Sequence, residues 1–436
     1  MLPSPRLSVL ALALLAPAAA AIAAPVPVAK TNPLPVYMHY MPWFESPETL
    51  GGTNWGLHWQ MNTANPNLTN PDGTRQIASH FYPAIGPYAS SDPHVIEYHL
   101  LLMKLAGIDG VLIDWYGVAG TNGDINRLLT NSNALIAKLD DIGLDFAVVL
   151  EDRFAASPAD TATNVAYLRD HYFNNPRYIR DPDDNRPLVP IFGPIKNESP
   201  DDWPQIFAQA GEPFDLLTLP GQSDEVAPFG SGEFLWPFEN AGLNNHLAVV
   251  TDAYVNDAPT HDKFGAVAYP SFIDYYEEGG LSTRIPFEIP YDNGGTLFHT
   301  LARVTQNTAN IDFLQLATWN DFGEGTMFEP TLEYGYDPLL QVQGFTGVPY
   351  DLNELTLVAD LYDARVWFEN DPAAQQTLNQ VADWIAQLRI DDARALLSTL
   401  DFDPQLRLIQ LPEPSSLALL AAGLALGTRR PRRRAD

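Results

Sequence analysis

The chain has 436 residues, a formal net charge of −30 and no cysteine. That length can close one large domain around a substantial core. The acidity argues against nucleic acid and anionic polymers as partners. The absence of thiols excludes disulfides, Cys-ligated metals and thiol catalysis.

Residues 1–24 carry one arginine, an apolar run LSVLALALLAPAAAAIA and small residues ending AIAA. This is the pattern of a secretory signal peptide cut near Ala24, and it predicts export to the periplasm or cell surface. Short apolar runs then alternate with helix-like segments. VYMHYMPWF (36–44) opens the series, EYHLLLMKLAGI (97–108) is a helix closed by Gly107, and GVLIDWYG (110–117) is a strand. INRLLTNSNALIAKLDDIG (125–143) is helical, LDFAVVLED (144–152) is a strand and TNVAYLRDHYF (163–173) is helical. PLVPIFG (187–193), FDLLTLPG (214–221), GEFLWPF (232–238) and FGAVAYPSF (264–272) continue as strands. GGTLFHTLARVTQN (294–307) is a helix and IDFLQLATWND (311–321) the last strand.

Continuous apolar runs are what parallel strands buried on both faces look like. About eight of them alternating with helices predict an α/β chain, a (β/α)8 TIM barrel over 25–350. An open doubly wound sheet is the second choice. No GxGxxG follows an early strand and no Walker motif is present, so nothing supports a nucleotide site.

Beyond 350 the pattern becomes amphipathic-helical. LNELTLVADLYDARVWF and TLNQVADWIAQLRIDDARALLSTL predict a C-terminal helical extension over 351–410, either an appendage or the closing helices of the barrel. Residues 411–436 join Pro412-Glu413-Pro414, an apolar run from Leu417 to Gly427 and five arginines. This tail resembles the PEP-CTERM sorting signal of exported Gram-negative proteins. The resemblance implies processing by an exosortase and transient membrane association, although the run is shorter than the roughly 20 residues of a spanning helix.

In a barrel, function gathers where strands end at the C-terminal face. The predicted strands end in Asp114-Trp115-Tyr116, Glu151-Asp152-Arg153 and Trp319-Asn320-Asp321, and the first offers His39, Tyr40 and Trp43. Any one acid could be a surface group at a strand exit. Carboxylates grouped with Trp and Tyr suit a sugar, whose C–H faces stack on aromatic rings while acids bind hydroxyls and move protons. Asp321 and Glu324 follow the last strand on a turn loosened by Gly323 and Gly325, and they are the expected catalytic acids. Glu329 reads as a salt-bridge or helix-start residue. The histidines form no HExxH, so no metal is expected, and His58 is expected to meet sugar hydroxyls. No cofactor and no GxSxG serine nucleophile is expected.

Six further segments carry a resemblance. They are HYMPWF (39–44), NWGLHW (54–59), HFYPAIGPYASSD (80–92), LAGIDGVLIDWYG (105–117), VVLEDRF (148–154) and IPYDNGG (289–295), joined by TWNDFGEGTMFEP (318–330). In that order they resemble glycoside hydrolase families 71 and 99, (β/α)8 enzymes acting on α-glycans. Family 99 implies that Asp321 and Glu324 are the catalytic pair. Asp321 would take the proton of the substrate 2-hydroxyl and Glu324 would act as acid, then base. The resemblance also matches Glu151 and Tyr40 to substrate-binding positions. Here Asp321 stands where family 99 has Glu, and WNDFGE is closer to the WNDYGE of family 71, whose members invert. The expected substrate-binding set is Glu151, Tyr40, His58, Trp59, Asp114, Trp115, Tyr116, Trp319 and Asn320. The expected function is an exported hydrolase of an α-linked polysaccharide, α-mannan or α-1,3-glucan in type. The rivals are a non-catalytic glycan-binding surface protein and a metal-dependent deacetylase with a His/Asp cluster at the barrel mouth.

Overall fold

The computed structural model describes residues 24–402. The predicted sorting tail, and all but the last residue of the predicted signal segment, lie outside the described residues.

Eight parallel strands form the sheet: β1 (Val36–Tyr40), β2 (Gly110–Trp115), β3 (Asp145–Leu150), β4 (Leu188–Pro190), β5 (Asp215–Thr218), β6 (Gly230–Phe234), β7 (Lys263–Ala268) and β8 (Phe313–Leu316). Their order is β3-β2-β1-β8-β7-β6-β5-β4. The seam between β3 and β4 is closed by a bridge of Leu150 with Ile191, where the Phe192 N–H donates to the Leu150 carbonyl at 2.9 Å. This is the expected TIM barrel. All six residues of β2 are buried, as a strand walled by sheet neighbours, core and helices requires.

Two single-turn helices, α1 (Pro47–Leu50) and α2 (Leu57–Gln60), sit in the long loop after β1. This loop builds one wall of the barrel mouth, because its Phe44, Trp55, Trp59, Phe81 and Tyr88 form a second core with Phe322 and Met327 from the loop after β8. The outer ring follows as α3 (Pro93–Leu105), α4 (Ile125–Ile142), α5 (Pro158–His171), α6 (Trp203–Ala210), α7 (His246–Asp252) and α8 (Gly295–Asn307). Asp92 caps α3 by accepting from the N–H groups of His94 and Val95, with Pro93 in the first helical turn. Gly143 ends α4 in the left-handed conformation.

The C-terminal part departs from expectation in two ways. A helix not anticipated from the sequence, α9 (Asp337–Thr346), supplies the eighth outer position: Gln343 Nε2 and Thr346 Oγ1 donate to the carbonyls of Leu105 and Ala106 at the end of α3. α10 (Leu352–Trp367) then packs on α3. Its Arg365 lays two N–H groups on the buried Glu97 carboxylate, each at 3.0 Å. The single helix expected at 377–400 is two, α11 (Pro372–Ala386) and α12 (Ile390–Leu397), divided where Leu388 takes φ 60°.

Candidate active site

Strands β1, β2, β3 and β8 deliver their C-terminal residues to one cavity of about 160 Å³ at the barrel mouth. Its floor and walls carry four carboxyl groups, Asp114, Glu151, Asp321 and Glu324, with one guanidinium, Arg153. Its aromatic lining is Trp43, Tyr116, Phe154, Phe192, Trp236 and Tyr276, with His39, Met41 and His58 between them.

The loop after β8 holds the central pair. The Asp321 N–H donates to Thr318 Oγ1 at 2.8 Å, and Asp321 Oδ1 accepts the Glu324 N–H at 2.9 Å, so the turn fixes both acids against each other. Gly325, at φ +69°, lies where a Cβ would come within 2.7 Å of the Ile273 carbonyl oxygen. Only glycine fits both demands. Tyr276 donates its hydroxyl to Glu324 Oε1 at 3.0 Å. Burial raises Asp321 to about 7, against the pull of the Glu324 and Gly323 amides. Burial, then the neighbouring Asp321 charge, raises Glu324 to about 8. Near neutral pH this pair keeps a proton, and Glu324 holds it more tightly.

Across the cavity stands a second acidic pair. Burial, then the Glu151 charge, pushes Asp114 well above the carboxylate range. Burial raises Glu151 to about 7, opposed by Arg153, whose Nε lies 2.7 Å from Glu151 Oε2. The adjacent Asp152 faces away. It is wholly buried and accepts the backbone N–H groups of Ile195, Lys196 and Asn197, which ties the end of β3 to the loop after β4.

His39 has a fixed proton. Gln315 Nε2 must donate to the Leu235 carbonyl, 3.0 Å away, so its Oε1 faces His39 Nδ1 at 3.1 Å and accepts from it. Burial lowers His39 to about 4, so the ring is neutral at pH 7 and Nε2 keeps a lone pair, buried and without a partner. His58 is stacked flat on Trp43, with 4.0 Å between ring centroids, and burial lowers it to about 3.

Of the residues expected from the sequence, the structure gathers Asp321, Glu324, Glu151, Asp114, Tyr116 and His58 around this cavity. Five others it does not bring there. Tyr40 and Trp115 point outward, because alternate residues of a barrel strand face opposite sides and their neighbours His39 and Asp114 take the inner positions. Tyr40 meets His99 on α3, and Trp115 packs on Tyr167 and Tyr172. Trp59 lies in the loop core, its Nε1 donating to the Tyr88 carbonyl. Trp319 packs edge-on to His99. Asn320 clamps the backbone of Met41 through both its amide atoms. Glu329 is also buried away from the cavity, accepting from Tyr88 at 2.6 Å with His99 at 3.4 Å, which fits a structural role. The expected site set omitted Trp236, Tyr276, Phe192 and Arg153. Arg153 and Trp236 followed strands and were open to the same argument as the acids. Tyr276 sits in a loop with no periodic signal.

The group of acids among the described residues that could share a cation, Asp181, Asp184 and Asp215, lies at the other end of the barrel, beside the start of β5. It is not the His/Asp cluster at the mouth that the deacetylase reading requires.

The fold and the mouth define a (β/α)8 barrel with an acid-lined, aromatic-walled cavity. Residues 33–215 match glycosyl hydrolase family 99. The chain is 24% identical over 186 residues to the glycoprotein endo-alpha-1,2-mannosidase of Xenopus laevis, covering 40% of this chain and 41% of that protein. It is 22% identical over 343 residues to the glycoprotein endo-alpha-1,2-mannosidase-like protein of Mus musculus, covering 72% and 74%. The match thus spans about two-fifths of the first relative's length and about three-quarters of the second's. The GH99 endo-alpha-mannosidase structure from Bacteroides thetaiotaomicron superposes with a TM-score of 0.55 at 18% identity, over 74% of this chain and 98% of that one. The chain is therefore family 99-like, and these matches give family 71 no support.

Proposed function

We propose that this chain is a glycoside hydrolase acting on α-linked glycans of the mannan type, with Glu324 as general acid/base and Asp321 as the partner base. The observation that carries the reading is the pair itself: two adjacent buried carboxyls with raised and unequal proton affinities, facing an aromatic-lined cavity. Glu324 enters the reaction protonated and can give its proton to the departing glycosidic oxygen. Asp321, the weaker proton holder, can take one from the substrate or direct a nucleophile. Tyr276 fixes the orientation of Glu324 through its hydrogen bond. Trp43, Phe192 and Trp236 offer ring faces for the sugar.

The test is turnover by the purified protein on α-mannan and α-1,3-glucan oligosaccharides, with product anomers followed by NMR. Release of sugar from α-mannan that disappears in Glu324→Gln supports the reading. Glycan binding without turnover would make the protein a binding module. We further propose that the chain is exported and that its tail is processed at the membrane. Intact-mass measurement on secreted protein, showing loss of both ends, is the corresponding check; retention of both ends would refute it.

A further inference from the structure

Five side-chain atoms of residues lining the cavity are buried without a hydrogen-bond partner: Asp114 Oδ2, Glu151 Oε2, Glu324 Oε2, Trp43 Nε1 and His39 Nε2. They do not make the same demand on a ligand. The three carboxyl oxygens belong to acids that gain or lose a proton, so each can accept or donate. Those acids also have partners of their own. Asp114 and Glu151 bond each other, Glu151 Oε2 pairs with Arg153 Nε at 2.7 Å, and Glu324 Oε1 accepts from Tyr276. Trp43 Nε1–H can only donate, and any acceptor satisfies it. His39 Nε2 can only accept, and its role is set by the frame around it. The Leu235 carbonyl orients the Gln315 amide, and Gln315 Oε1 then holds the His39 proton on Nδ1. Trp236 stands edge-on to the ring, 4.9 Å between centroids, but its N–H serves Glu324. A wholly buried acceptor with no donor costs free energy that an entering donor recovers.

We propose that His39 is a specificity-determining residue of the cavity: its Nε2 accepts a hydrogen bond from one hydroxyl of the bound sugar, and Gln315 is the positioning residue that fixes the ring tautomer for it. This deepens the glycosidase reading and rests on it for the ligand being a sugar. The hydroxyl at that place has to donate. Fluorine in its stead can accept but not donate, so it leaves Nε2 unmet. The carboxyls cannot make this distinction, because each can adjust its proton to its partner. Gln315 does not itself line the cavity. In Gln315→Met nothing holds the proton on Nδ1. The proton is then free to move to Nε2, where it turns the acceptor into a donor.

The experiment labels the histidine rings with nitrogen-15 and reads their tautomers by NMR near neutral pH, with His39 assigned by through-bond correlation to its backbone. In the free protein His39 should carry its proton on Nδ1; a proton on Nε2 overturns the proposal before any ligand is added. Methyl α-mannobioside is then titrated, followed by analogues with fluorine in place of the 3-, 4- or 6-hydroxyl of either ring. Affinity is measured calorimetrically, in Glu324→Gln where the wild type cleaves the ligand. The parent sugar should move the Nε2 resonance toward that of a hydrogen-bonded acceptor. One fluorinated analogue should bind about 10–100-fold more weakly and leave that resonance in place, the order expected for one buried acceptor left unmet. In Gln315→Met the His39 proton should shift to Nε2 and the selective loss should vanish. The wild-type tautomer and the fluorine series stand whether or not that variant folds. An Nε2 resonance unmoved by the bound parent, or equal affinity for all the analogues, overturns the proposal and leaves Nε2 to a trapped water. Cleavage of α-mannan with no response at His39 leaves the glycosidase reading intact while this one falls. A response at His39 with no cleavage by the wild type does the reverse. If neither α-mannan nor α-1,3-glucan oligosaccharides bind, both fall.

Discussion

Glu324→Gln should make the protein more stable, and the gain should grow with pH. Glu324 has its proton affinity raised from the ordinary value of 4.5 to about 8, first by burial and then by Asp321. A carboxyl with a higher pKa folded than unfolded is bound more tightly to its proton in the native state. Its contribution to stability is fully present below the unfolded value and is lost as pH rises through the folded one. Each unit of difference corresponds to ~1.4 kcal/mol. Discounted for the partial exposure of the residue and its sharing of charge with Asp321, the penalty at high pH is on the order of 2–4 kcal/mol. Glutamine keeps the shape and never ionises. Urea unfolding should therefore find wild type and variant equal to within ~0.5 kcal/mol near pH 4.5 and separated by ~2–4 kcal/mol near pH 9, with the variant more stable. A gap that stays flat across this range would mean that Glu324 is an ordinary carboxylate. The reason for naming it the acid would then be gone, whatever the kinetics said.

On a natural glycan the same variant should lose about 10²–10⁴-fold in rate, the usual worth of general acid–base catalysis, and lose less on an activated aryl glycoside that needs little protonation. Asp321→Asn should impair both substrates, as comparison of kcat on the two will show. Asp152→Asn removes the charge that gathers three backbone N–H groups. It should cost about 2–3 kcal/mol in chemical denaturation and weaken activity through the displaced loop. Arg365→Met strands the buried Glu97, leaving only Lys138 at 3.4 Å, and should cost about 3–5 kcal/mol of stability without changing KM. Glu329→Gln should lower the thermal midpoint through its contacts with Tyr88 and His99 while kcat stays within about twofold, since it lies outside the cavity.

The barrel was readable because parallel strands buried on both faces are written as unbroken apolar runs, and each of the eight predicted runs overlaps a strand. The same property hides the site. Where both faces are apolar, hydropathy does not say which residue of a pair looks inward, so Tyr40 and Trp115 were as eligible as His39 and Asp114. The structure resolves the choice by strict alternation, sending the first two against α3 and α5. Helix α9 was missed because DPLLQVQGFT follows an acidic loop and contains Gly344. The break after α11 was missed because no glycine or proline marks it; Leu388 alone turns the chain.

Sorting the buried acids needs a different question from whether they are buried. Asp152, Glu329 and the four cavity carboxyls all lie in or against the interior. Asp152 receives three backbone N–H groups, and Glu329 has a tyrosine hydroxyl on one oxygen with His99 close to the other. Three backbone donors fix the Asp152 carboxyl in place, whereas Glu329, like Glu324, has one hydroxyl donor and one oxygen without a hydrogen-bond partner and is set apart by lying outside the cavity. Asp321 receives two backbone amides, and Glu324 the Tyr276 hydroxyl and a bond from Trp236, against burial that outweighs them. Asp114 has one oxygen with no donor. An acid underserved by its own fold keeps its proton and exchanges it with whatever enters. No sequence pattern encodes that deficit, because it depends on partners contributed by distant segments: Ile195 for Asp152, Tyr276 for Glu324, and for Asp114 only its neighbour Glu151.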